Sequence, residues 1–232
     1  MSDTIVTYEQ RDEIALVTMD DGKANALSHA MLEQLRAAMA RARAEAKAVI
    51  LAGRPGRFSG GFDLRVMGAG PQAVIDLVGA GGELFLELYA HPQPLVMAVT
   101  GHALAGGVLL AATGDTRIGI EGPFKLGLNE VTNGMAVPIL AHDLARERLD
   151  PRHLVASVLQ AKIYDPAGAV TAGWLDRVVA PEALAEAAMT EAKALAALPR
   201  RAYAATKLSL RSQAIAYMRQ TMADNLAAIA GT

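Results

Sequence analysis

Cysteine is absent from the 232 residues. That excludes disulfides, thiolate metal sites and a cysteine nucleophile together, and it fits a reducing compartment. Aromatic residues make up only 4% of a chain that is 52% hydrophobic, so the apolar content rests on Ala, Leu and Val, which pack closely and favour helices. Charged residues are also few, at 20% with a net charge of -2. The chain is therefore too apolar for a disordered protein and lacks the basic excess of a dedicated nucleic-acid binder. Arg36, Arg41, Arg43 and Lys47 read as an ordinary charged helix face rather than an RNA surface. No apolar run approaches the roughly 18 residues of a membrane span, and residues 1–12 carry acids instead of a signal-peptide core. The reading is a soluble, cytoplasmic protein with no membrane or nucleic-acid partner.

Several chemical signatures are missing too. No G-x-S-x-G occurs, and Ser59 has no nearby histidine to activate it, so a serine hydrolase is excluded. His29, His91, His102, His142 and His153 are scattered without metal-ligand spacing, and no metal site is predicted. No phosphate-cradling G-x-x-x-x-G-K-S/T is present. The run Gly79-Ala80-Gly81-Gly82 fails the dinucleotide fingerprint and falls inside a helical stretch, where it allows close packing or a helix break.

What is present alternates. Residues 5–9 and 13–19 read as two strands joined at 10–12. Met31, Leu32, Leu35, Ala38, Met39 and Ala42 recur at three- and four-residue steps, which predicts an amphipathic helix over 28–45 with Ser28 as its N-cap. Uncharged runs at 48–52 and 95–99 suit buried strands. Residues 71–89 look helical, 101–107 read as a loop entering a buried helix at 108–112, 116–120 as a strand, and 138–148 as a helix. Beyond Asp150 helical segments predominate: one at 181–198 and two more from 199 to the end. The pattern predicts one α/β unit, with a core over 1–180 and a helical extension over 181–232.

Two glycine clusters follow apolar strands: Phe58-Ser59-Gly60-Gly61-Phe62-Asp63-Leu64 and Gly101-His102-Ala103-Leu104-Ala105-Gly106-Gly107. Glycine there lets backbone N–H groups face a ligand, and if each cluster opens a helix, free amides and the positive dipole end converge on one spot. The plainer alternative is two tight strand-to-helix turns. A third segment, Phe124-Lys125-Leu126-Gly127-Leu128-Asn129-Glu130-Val131, places a carboxylate among apolar residues, where desolvation raises its pKa and makes it a better base once ionised. Alone, Glu130 would read as a solvated loop acid or a helix cap.

In this order the three segments resemble the crotonase superfamily, the enoyl-CoA hydratase/isomerase family. Gly22-Lys23-Ala24-Asn25-Ala26-Leu27 is similar to its early A-x-N-A-L segment, 58–64 to its F-S/C-A-G-x-D-L motif, and 101–115 to its second glycine-rich segment ending in Asp. The resemblance implies the crotonase (ClpP/crotonase-like) fold of repeated ββα units with a helical C-terminal extension. It implies an acyl-CoA thioester substrate, no separate cofactor because coenzyme A is part of that substrate, and a homotrimer or a hexamer built as a dimer of trimers. Carried over by position, it assigns the backbone N–H groups of Gly60 and Gly106 to the thioester oxygen, with Ala105 replacing the first glycine of the usual triplet. Lys23, Ala24 and Ala26 are implied along the pantetheine/adenine path, Phe58 in the substrate-binding set, and Asp63 and Leu64 beside the adenine. Lys207 resembles a C-terminal lysine that reaches a CoA phosphate, although a solvated helix lysine is the simpler reading.

The family's hydratases use two glutamates, and the first falls here on Leu109, expected to face the substrate. Only Glu130 remains, in a Gly127-Leu128-Asn129-Glu130 segment similar to that of the mitochondrial-type isomerases. The resemblance thus implies shuttling of a proton from C2 to C4 of a 3-enoyl thioester through an enolate held by the two amides. Hydration by Glu130 alone and a non-catalytic acyl-CoA-binding homologue are the alternatives.

Overall fold

The computed structural model of the chain describes residues 4–224 and 226. The opening hairpin pairs β1 (Val6–Arg11) antiparallel with β2 (Ile14–Met19), Arg11 opposite Ile14. Helix α1 (His29–Glu45) then starts where Ser28 accepts a hydrogen bond from the Met31 N–H, and it buries the six apolar residues of its predicted stripe. From there the chain sends successive strands to two different sheets. β3 (Ala48–Ala52) is followed by β4 (Gly56–Ser59), the short α2 (Leu64–Met67) and the long α3 (Pro71–Tyr89). β5 (Leu95–Val99) is followed by β6 (Gly101–Leu104) and α4 (Gly106–Ala112). β7 (Thr116–Ile120) is followed by the two-residue β8 (Leu126–Gly127) and α5 (Ile139–Arg146). The first strand of each unit joins a six-stranded sheet, in the order β1, β2, β3, β5, β7 and finally β9 (Arg177–Val179). The second strands form a parallel three-stranded sheet, β4, β6, β8. This is the repeated ββα arrangement implied by the resemblance.

Four strands went unread in the sequence, β4 and β9 among them. Residues 101–104, taken as loop, are β6, and β8 lies inside what looked like an uninterrupted apolar stretch. Both are short and rich in small residues, and only their neighbours in the sheet make them strands.

The central strands β3, β5 and β7 of the large sheet are buried on both faces, and side-chain alternation divides them between two clusters. Val49, Leu51, Leu95 and Met97 join the main core with α1 and α3, while Ala48, Ile50, Val96 and Ile118 face Leu184, Ala188 and Ala192 of α8 (Leu184–Ala196). Two more helices, α6 (Pro151–Val158) and α7 (Pro166–Ala172), precede β9, and α9 (Arg200–Gln220) closes the described chain. A boundary at residue 180 is therefore not a structural one. α8 is a layer of the fold, because without it one face of the sheet would lie open to water. α9 contributes Ile215 and Met218 to the main core. Where two helices were expected from 199 onward, one helix runs to Gln220 and residues 222–224 are helical after a turn at Thr221; residues 227–232 lie outside the described residues.

Candidate active site

The first glycine cluster leaves β4 through a register shift between Arg57 and Ser59. It is pinned from behind by Asn25, a fully buried residue with φ of 51°. The Asn25 side-chain amide donates to the carbonyls of Met19, Arg57 and Phe58, and its backbone carbonyl accepts from the Ser59 hydroxyl at 2.7 Å. Those bonds decide which amides of the cluster are free. Gly60 N–H donates to the Ala24 carbonyl at 2.9 Å, and Gly61 N–H donates to the Ser59 hydroxyl at 3.2 Å. A parallel bridge to Leu27 then engages the Gly61 carbonyl and the Asp63 N–H. In such a bridge the flanking residues carry the bonds, so the N–H of Phe62 itself points the other way. Among the described residues it has no acceptor. The expectation that Gly60 supplies the first oxyanion donor is therefore corrected: its N–H is already engaged, and Phe62 carries the open one. Nor does this cluster open a helix at Gly60; α2 begins only at Leu64.

The second cluster leaves β6 and turns at Ala105 into α4. Gly106 is the first residue of that helix, so its N–H has no intrahelical acceptor. Ala105 has φ 51° and ψ -128°, a conformation that glycine adopts freely and alanine holds only at a cost of about 1–3 kcal/mol. The two clusters touch. A Cβ on Gly61, whose φ is +92°, would lie 2.9 Å from the Ala105 Cβ and 3.2 Å from the Gly106 nitrogen, so only glycine admits this approach. The Phe62 ring in turn lies against Gly106, at 3.2 Å from where its Cβ would be.

These loops wall a cavity of about 130 Å³ that also takes in Leu109, Asn129 and Glu130. Leu109 comes from α4 and is 3% exposed. Glu130 stands at the start of a short 3-10 turn after β8, yet its side chain makes no capping bond, so the capping alternative fails. Its Oε2 is buried without a hydrogen-bond partner, as is the Oδ1 of Asn129. Burial pushes the Glu130 carboxyl above the usual carboxylate range, against a smaller opposing effect of backbone hydrogen bonding from Glu130 and Asn129. A desolvated carboxylate, Phe62 with its open amide and an apolar wall line one cavity, and the open Gly106 amide follows its Ala105 wall; this arrangement suits removal of a proton beside a carbonyl. Asn25 and Asn129 went unnoticed in the sequence; the first sat in the quoted A-x-N-A-L segment, which was the available signal.

Other predicted site residues divide. Leu64 lines the cavity rim and is 76% exposed. Ala24 touches the site through its carbonyl bond to Gly60, Lys23 is exposed beside it, and Ala26 is half-buried. Asp63 caps α2 and pairs with Arg65, which holds its carboxyl below the usual range. Two assignments do not stand. Phe58 is fully buried in the main core and lines no part of the cavity. Lys207 is 6% exposed, with its ammonium on Asp115 at 2.6 Å and on the Gln93 carbonyl at 3.1 Å. It holds α9 to the core and is not available to a CoA phosphate.

The family model for enoyl-CoA hydratase/isomerase matches residues 9–228. The chain belongs to the enoyl-CoA hydratase/isomerase family. It resembles human mitochondrial enoyl-CoA delta isomerase 1, with 33% identity over 165 residues, 70% of this chain and 55% of that protein. It also resembles a probable enoyl-CoA hydratase of Rhizobium meliloti, with 29% identity over 203 residues, 84% of this chain and 77% of that one. The chain spans a little over half the length of the mitochondrial isomerases it matches. Among solved structures, an enoyl-CoA hydratase/isomerase family protein of Pseudomonas syringae superposes with a TM-score of 0.95 at 37% identity, covering 97% of this chain and 98% of that one. The names of these family members include both isomerase and hydratase.

Proposed function

We propose that the protein shifts the double bond of 3-enoyl-CoA thioesters to the 2-position, with Glu130 moving the proton. One observation carries this reading: a single carboxylate with one unpartnered oxygen shares the cavity with Leu109, where a second acid would be needed to hold and activate water. The thioester carbonyl accepts from the N–H groups of Phe62 and Gly106. Glu130 takes a proton from C2, and the electron pair moves onto the carbonyl oxygen as a dienolate. The same carboxyl then returns the proton at C4, leaving the conjugated product and the carboxylate as it began. Preorganised donors matter most in the enolate, and losing one raises the barrier by about 2.7–4 kcal/mol. Coenzyme A approaches along exposed Lys23, Ala24 and Leu64. Self-association into trimers or hexamers belongs to the same proposal, supported by the exposure of Leu208 and Leu210 on α9, and sedimentation of the purified chain tests it.

Hydration of 2-enoyl-CoA is the second reading, favoured by one feature. The unsatisfied Oδ1 of Asn129 stands beside Glu130 in the sequence and lines the same cavity, and together they could hold a water. The two readings part in one assay. Purified protein given a 3-enoyl-CoA should yield the conjugated 2-enoyl-CoA faster than it hydrates crotonyl-CoA. Strong hydration with negligible isomerisation overturns the isomerase reading in favour of hydration.

A further inference from the structure

Behind the reacting cavity lies a second, smaller one of about 30 Å³, and its lining carries no polar side chain. The two share four walls: Phe62, Val78, Leu109 and Pro138. The far end is closed by Met222, which follows α9. These four residues stand between the cavity that holds Glu130 and the apolar space that Met222 lines.

The ring of Phe62 occupies that passage because α3 leaves it a seat. A Cβ on Gly81 would fall 2.3 Å from Phe62 Cε1 and 2.5 Å from Cζ, so the ring lies where a side chain of residue 81 would be. It leans on Phe85, with ring centroids 6.1 Å apart. One residue further, a Cβ on Gly82 would sit 3.1 Å from both Sδ and Cε of Met222. The Gly79-Ala80-Gly81-Gly82 run therefore neither binds phosphate nor breaks the helix. It is a pair of seats on α3, one for an aromatic ring and one for a flexible thioether that readily changes rotamer.

We propose that Phe62, seated on Gly81, is the gate that sets acyl-chain length: short tails end against its ring, and longer tails reach the apolar space under α9 only when the ring leaves its seat. Met222 on Gly82 is the second stop, and it matters only once the first is open. This rests on the acyl-CoA reading above but not on the choice between isomerisation and hydration.

The test is calorimetric binding of saturated butyryl-, hexanoyl-, octanoyl- and decanoyl-CoA, which are inert to either reaction. For the wild type, affinity rises from butyryl to hexanoyl and then stops rising. Phe62→Ala raises the ratio of decanoyl to butyryl affinity by about 10-fold or more, since each methylene in an apolar pocket discriminates by roughly 10–200-fold. Met222→Ala alone leaves that ratio near the wild-type value, while Phe62→Ala combined with Met222→Ala exceeds Phe62→Ala. Gly81→Ala, which forces the ring into the reacting cavity, lowers hexanoyl relative to butyryl affinity. The gate is overturned if affinity in the wild type climbs steadily through decanoyl, or if the ratios ignore both Phe62→Ala and Gly81→Ala. Absence of binding at every length overturns the acyl-CoA reading and the gate with it.

Discussion

Asp115, with a side chain 10% exposed, and buried Glu130 are both carboxylates largely out of water, and the fold treats them in opposite ways. Asp115 receives the Lys207 ammonium at 2.6 Å, an Arg211 guanidinium nitrogen at 2.9 Å and the Leu95 N–H at 2.8 Å. Arg211 also donates to the Tyr89 carbonyl and stacks over the Tyr89 ring at 4.2 Å. Even so, burial outweighs Asp115 and pulls the Lys207 ammonium down to about 8. No cation contributes to the shift of Glu130, and among the described residues its Oε2 has no hydrogen-bond partner. Satisfying a buried charge on every side fixes an element in place; leaving one unsatisfied beside a cavity makes it ready to take a proton. The first arrangement anchors α9, and the second carries the chemistry proposed above.

The sharpest way to break this contrast is to neutralise each carboxylate. Glu130→Gln should lower turnover of a 3-enoyl-CoA by about 10²–10⁴-fold, the usual contribution of a positioned base, while thermal unfolding stays at or above the wild-type midpoint. Asp115→Asn should do the reverse. It strands two buried cations and should cost about 3–5 kcal/mol in denaturant unfolding, with turnover per folded molecule preserved.

Acidity sharpens the contrast further. The Glu130 carboxyl is raised in the folded state above its ordinary value of 4.5, so its contribution to stability is full below that value and is lost as pH rises through the folded one. The stability advantage of Glu130→Gln should accordingly be present at neutral pH and vanish below pH 4.5. Turnover should run the other way, rising with pH through the same ionisation to a plateau, because only the carboxylate can accept the proton. A pH series of unfolding midpoints and of kcat/KM checks both. The smallest effect concerns backbone strain at the site: Ala105→Gly should relieve the positive φ and stabilise the fold by about 1 kcal/mol, less the greater flexibility of unfolded glycine.

Local periodicity made most of the scaffold legible. The stripe from Met31 to Ala42 and the cap at Ser28 specify α1, and the uncharged runs at 48–52 and 95–99 specify central strands, because each pattern is complete within a few residues. The carboxylate and the second open amide were also legible, through motif and neighbourhood. What was missed depends on distant partners. Which amide of residues 60–62 stays open is decided by the Ala24 carbonyl and by the bridge to Leu27, more than thirty residues earlier. Lys207 looked like a solvated or phosphate-seeking lysine because its partner, Asp115, is 92 residues away. α8 showed an amphipathic pattern, but a pattern names no partner, and its partner is the second face of the sheet. The glycines of α3 likewise gained meaning only when Phe62 and Met222 were found seated on them.

The central claim is that Glu130, with Oε2 unpartnered in the cavity it shares with Phe62, removes the C2 proton. Exchange of that proton into deuterated water, followed by NMR on a 3-enoyl-CoA in the presence of wild-type protein and of Glu130→Gln, tests it most directly. Ready exchange with the wild type and a loss of about 10²-fold or more in the variant is the predicted result. Equal exchange by the two proteins would contradict it.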